Sequence, residues 1–162
     1  EMNVPSDLLK ATMQVNEAQP FRAAEILTEE MEDRTLEDKK IAILGIAFKP
    51  DTDDVREAVS ITLINHLLDK GAKVFATDPK AIDNVKEIIS HENLTLSNKI
   101  EDILNGADAC ILVTEWKEYL ELTPELFKKH MKNPLLIDGR RTLDYEKFRE
   151  KGIIFRSIGL GK

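Results

Sequence analysis

The chain has 162 residues, 42% hydrophobic and 33% charged, with a formal net charge of -7 and one cysteine. That is enough chain for one buried core and about one domain. The acidic balance argues against a nucleic-acid surface, which needs clustered Lys and Arg, and the lone cysteine excludes an internal disulfide. No apolar run approaches the ~18 residues of a membrane span or forms the core of a secretion signal, so a cytoplasmic setting with a small-molecule or protein partner, and no membrane, is expected.

In chain order, Ser6 stands where it would cap a first helix, whose apolar stripe runs through Leu8, Leu9, Thr12, Val15, Ala18 and residues 23–31. Pro20 is expected to interrupt it, because proline removes a backbone donor. This helix carries more apolar surface than it could bury alone. Residues 29–40 are rich in Asp, Glu and Lys and lack period, so they read as a linker. A boundary is therefore placed near Asp38, with residues 1–37 as helix and linker and 38–162 as the body. The body alternates. A strand over 41–47 precedes a helix over 55–70 closed by Gly71, and a strand over 73–77 stops at Asp78-Pro79. A weaker helix over 81–90 leads to a short strand at 94–96, then a helix over 100–105 ends at Gly106. A strand over 109–114, a helix over 124–132 with Thr123 as cap, a strand over 135–138, a helix over 145–151 and a strand over 153–157 complete the chain. This alternation predicts an α/β fold: a Rossmann-like, doubly wound, mostly parallel sheet with helices on both faces, preceded by the N-terminal helix.

Ligands of such sheets gather beyond the carboxyl ends of the strands. There lie Lys49 after the first strand, Asp78 after the second, Thr114, Glu115 and Trp116 after the fourth, and Asp138 to Arg141 after the fifth. The segment 39–57 is the most telling. Gly45 frees the backbone to turn, Pro50 biases Lys49 toward an extended conformation, and Thr52, Asp53 and Asp54 are candidate caps for the helix that follows. An anionic ligand suits that chemistry, although a plain strand-loop-helix junction with a solvated lysine has the same composition. Asp78 reads first as a turn residue and Trp116 as a large apolar cap on the core. Cys110, inside an apolar strand, reads as a small buried hydrophobe.

Gly45, Ala47, Phe48, Lys49, Thr52, Asp54, Arg56, Glu57 and Ser60 together resemble the G-x-A-F-K-x-x-T-x-D-x-R-E-S pattern that opens the C-terminal domain of the UDP-glucose/GDP-mannose dehydrogenases. Residues 72–79, 107–116 and 137–141 match the family's later motifs in the same order, and 152–159 its last strand. The family's Ser-Pro after Glu is replaced by Ala58-Val59, which weakens the helix start. Arg141 stands where many bacterial members have Asn.

The resemblance implies a nucleotide-sugar-binding domain in which Phe48, Lys49 and Arg140 contact the substrate and Arg56 lies near an NAD held mainly by another domain. It implies no catalytic residue in this chain, because the family's dinucleotide loop and the motif carrying its catalytic cysteine are both absent from the sequence. No metal is implied. The whole enzyme would oxidise the C6 hydroxyl of a nucleotide sugar to a carboxylate, passing two hydrides to NAD. UDP-glucose is the favoured substrate, with UDP-N-acetylmannosamine and GDP-mannose as alternatives. The N-terminal helix would sit at a homodimer or higher homo-oligomer interface. A non-redox nucleotide-binding or regulatory module is the competing reading.

Overall fold

The computed structural model describes residues 6–159. Helix α1 (Asp7–Glu30) leads into β1 (Lys40–Leu44), α2 (Val59–Asp69), β2 (Lys73–Thr77), α3 (Ile82–Ile88), β3 (Leu94–Leu96) and α4 (Ile100–Leu104). Then follow β4 (Ala109–Leu112), α5 (Lys117–Leu120), α6 (Pro124–His130), β5 (Leu135–Asp138), α7 (Tyr145–Glu150) and β6 (Ile154–Ser157). The six strands form one sheet in the order β3-β2-β1-β4-β5-β6, and every pairing is parallel. This is a doubly wound α/β architecture. Right-handed crossovers carry the chain outward from β1 through α2 and α3, then back across the sheet to β4 and outward on the other side. That reversal puts α2 and α3 on one face and α4, α6 and α7 on the other. Helix α1 packs against α2 and reaches β5, completing the first face.

The central strands β1, β4 and β5 are buried along nearly their whole length, as expected of strands covered on both faces. On the second face, Phe148 sits edge-on to Phe127 with ring centroids 5.7 Å apart, and 5.8 Å from Phe155. Glu30, the last residue of α1, receives two hydrogen bonds from the Arg156 guanidinium, at 2.8 and 2.9 Å, and so staples the helix end to the edge strand β6.

Several expectations need correction. Pro20 does not interrupt α1, which runs unbroken from Asp7 to Glu30. The proline costs Asn16 its intrahelical donor, but Pro20 itself is buried and Ala23, Ala24 and Leu27 anchor the following turns in the core. The predicted linker is not structureless either: α1 occupies its start, and Met31 and Leu36 join the core. Strand β1 ends at Leu44 rather than Ala47, because Gly45 takes a φ of +91°. Helix α2 begins at Val59, not Val55, and its N-cap is Ala58 instead of Thr52, Asp53 or Asp54. Two of those side chains spend their capacity on local turns: Thr52 Oγ1 accepts from the Asp54 amide and Asp54 Oδ1 from the Arg56 amide. Ser6 and Thr123 do occupy N-cap positions, but neither side chain makes a capping hydrogen bond. The short α5 has no counterpart in the expectation, and the other boundaries agree to within about two residues.

Candidate functional site

Strand order reverses between β1 and β4, and the turns leaving those two strands diverge there. A cleft of about 1040 Å³ opens at that point, large enough for a nucleotide-sized guest. Its floor is Ala47, Val113 and Thr114; its mouth is formed by Phe48 and Lys49 from the β1 turn and Gly139 and Arg140 from the β5 turn. The first turn of α2, with Val59 and Ser60, closes one side, and α1 supplies another wall through Asn16, Gln19 and Pro20.

Two buried aspartates shape these turns. Asp78 Oδ2 accepts from the amides of Ile46 (2.6 Å) and Ala47 (2.9 Å) and from the Trp116 indole (3.0 Å). Its Oδ1 accepts from the amides of Lys80 and Ala81, both at 2.9 Å. Five donors saturate one carboxylate, so Asp78 organises the β1 turn and has no oxygen free for a ligand. Trp116 is likewise buried, as its apolar reading expects. Asp138 does the same for the β5 turn: its oxygens accept, each at 2.8 Å, from the amides of Arg140, Arg141, Thr142 and Leu143. Sequence reasoning missed this scaffolding role. The available signal was an aspartate ending or following two separate buried strands.

Close backbone packing completes the frame. A Cβ on Gly45 would stand 2.5 Å from Thr114 Cβ and 2.6 Å from its amide nitrogen, so no side chain fits between β1 and β4 there. A Cβ on Gly139 would meet the Leu112 carbonyl oxygen at 2.9 Å. Thr114 Oγ1 donates to the Ala47 carbonyl at 2.7 Å, and the Ser60 hydroxyl donates to the Ile46 carbonyl, tying the β1 turn to β4 and to α2.

The exposed side chains lining the cleft include the cations Lys49 and Arg140 and the carboxylates Glu17 and Glu57. Phe48 is 52% exposed, a large apolar ring displayed at the cleft mouth. Lys49 is exposed and makes no ion pair among the described residues. Arg140 Nε lies 2.8 Å from Glu115 Oε2. Phe48, Lys49 and Arg140 thus line one cleft. Arg56 does not: its guanidinium, 88% exposed, folds back onto Asp54 at 2.8 Å and holds that carboxyl down at about 2. Arg141 adopts a left-handed φ of +57°, a conformation that asparagine tolerates better than most residues. Cys110 is wholly buried in β4, and desolvation pushes its thiol up, the reverse of what a reactive cysteine needs. Among the described residues, no group of acidic, His or Cys side chains is placed to hold a metal, and no helix is long and apolar enough to cross a membrane.

The β1 turn does not fit a dinucleotide. Cofactor loops of doubly wound sheets offer free amides to a pyrophosphate, whereas the Ile46 and Ala47 amides are already engaged by Asp78.

Comparison with known proteins gives a consistent picture. The chain is 39% identical over 151 residues to the UDP-glucose 6-dehydrogenase AglM of Haloferax volcanii, covering 93% of this chain and 33% of that protein. Its fold is similar to the solved UDP-glucose dehydrogenase of Pyrobaculum islandicum, at a TM-score of 0.76 and 30% identity over 94% of this chain and 32% of that one. It is also similar to the UDP-D-ManNAc dehydrogenase of Pyrococcus horikoshii, at a TM-score of 0.81 and 26% identity over 98% of this chain and 35% of that one. The chain spans about a third of the length of the curated relatives it matches. Residues 42–145 match the model described as the UDP-glucose/GDP-mannose dehydrogenase family, UDP binding domain, and the chain belongs to that family.

Proposed function

We propose that residues 38–162 form the domain that grips the nucleotide portion of a nucleotide sugar in an NAD-dependent nucleotide-sugar 6-dehydrogenase of the UDP-glucose type, with residues 1–37 joining it to the rest of the enzyme. The observation that carries this reading is the convergence of Phe48, Lys49 and Arg140, from two different crossover turns, on one cleft. Lys49 supplies a point charge for a diphosphate, without an ion pair among the described residues; Arg140 supplies planar donors suited to phosphate or carbonyl oxygens; Phe48 offers an apolar face to a base. The names of the curated relatives favour UDP-glucose.

In this reading the oxidation itself belongs to polypeptide outside the chain. NAD would supply the hydride acceptor when bound by another domain, with Arg56 at its edge. The chain's own residues hold the nucleotide handle, so that remote binding energy fixes the sugar at the reacting centre. Leu8, Leu9 and Met13, exposed on the N-terminal half of α1, are suited to a homodimer or higher homo-oligomer interface in a cytoplasmic enzyme.

Isothermal titration of the chain with UDP, GDP and NAD tests the assignment. UDP should bind, and Lys49→Ala or Arg140→Ala should each weaken it at least tenfold, about 1.4 kcal/mol. In the full-length enzyme the same substitutions should lower kcat/KM by a similar factor. Absence of UDP binding, or unchanged affinity in both variants, overturns the reading.

A further inference from the structure

We propose that Glu115 is a positioning residue that aims Arg140 at the ligand; the inference rests on the reading that the cleft takes a UDP-bearing guest. Strands β4 and β5 are paired with Leu112 beside Asp138, so the turns that follow them emerge side by side, Glu115 on one and Arg140 on the other. Each turn is held from below. Thr114 is fixed to the Ala47 carbonyl and Trp116 to Asp78, which immobilises the backbone on both sides of Glu115. Asp138 and the tight contact of Gly139 with β4 do the same for Arg140.

Between these two rigid turns, Glu115 Oε2 is shielded from solvent and takes no aligned hydrogen bond, yet it lies 2.8 Å from Arg140 Nε. A shielded carboxylate oxygen without a donor is costly, so the guanidinium beside it is its compensation. Nε makes the closest approach, and the guanidinium as a whole carries planar donors of the kind that matches two oxygens of a diphosphate. Arginine side chains lose considerable rotamer entropy on binding; an arginine already held at Nε has lost part of it before the ligand arrives.

A carboxylate near an anion site also repels the anion, so the two effects of Glu115 oppose each other and the sign of a mutation separates them. Positioning predicts that Glu115→Ala weakens UDP binding about fivefold in the wild-type background and by less than about twofold when Arg140 is already Ala, because the two side chains act through one contact. Glu115→Gln, which keeps an acceptor oxygen at the same reach, should stay within about twofold of wild type, while Glu115→Asp, which keeps the charge but withdraws it, should resemble Glu115→Ala. Should Glu115→Ala fail to fold, the Gln and Asp variants decide the matter on their own. UDP binding that is unchanged or tighter in Glu115→Ala or Glu115→Asp, or losses that add fully with Arg140→Ala, overturn the role of Glu115 while leaving the site intact. A wild-type chain that binds no UDP overturns the site itself, and this role with it.

Discussion

The turns after β2 and β5 are both built on a buried aspartate, yet the two are wired differently. Asp138 fastens its own loop: its four amide donors lie two to five residues further along the chain. Asp78 fastens its neighbours: besides Lys80 and Ala81 it holds the β1 turn, 31 and 32 residues away, and the Trp116 indole, 38 residues away. One carboxylate shapes a segment and the other locks three crossovers together. The donors differ too. Most of those facing Asp78 are buried with it, whereas those facing Asp138 are partly open to water and can be rehydrated when the acceptor is lost.

The sharpest way to break this contrast is to remove each carboxylate in turn. Asp78→Ala strands several buried donors and should cost about 3–5 kcal/mol in denaturant unfolding, with loss of the native Trp116 fluorescence environment. Asp138→Ala should cost less, about 2–3 kcal/mol, but should abolish most UDP affinity, because the loop that presents Arg140 loses its shape while the rest of the sheet survives. Equal stability losses in the two variants would erase the distinction. A smaller effect sharpens it: Arg141, left-handed within the Asp138 loop, should accept Arg141→Asn with a gain of about 0.5–1 kcal/mol, read as a higher urea midpoint at unchanged slope. A loss there would mean that the Arg141 side chain contributes more than its backbone strain costs.

The elements that could be read from the chain are those whose cause is local. Strands β1, β4 and β5 are short continuous apolar runs, which is how a strand covered on both faces must look. Gly71 and Gly106 follow helices and take φ of +77° and +71°, so their meaning as helix stops was carried by their own chemistry. Lys49 and Arg140 were legible as candidates because they follow strand ends, the one place where a doubly wound sheet exposes its turns. What escaped is non-local. Nothing near Pro20 announces that the core will carry α1 through it, and the turns at Thr52 and Asp54 that delay α2 to Val59 compete with capping by the same side chains. Asp78 resembled an ordinary turn residue because its partners lie on two other crossovers. The contact between Glu115 and Arg140 depends on the lateral order of β4 and β5, which no single segment encodes.

Helix α1 has a double position that bears on how such a domain works within something larger. Twenty-four residues of helix make a rod about 36 Å long, clamped at its far end by Glu30 and Arg156 and bare along its leading half. Midway, Asn16, Gln19 and Pro20 stand against the space where a guest would sit. The bare half and the cleft wall are thus parts of one continuous helix, so a load on the first would be borne by the element that forms the second.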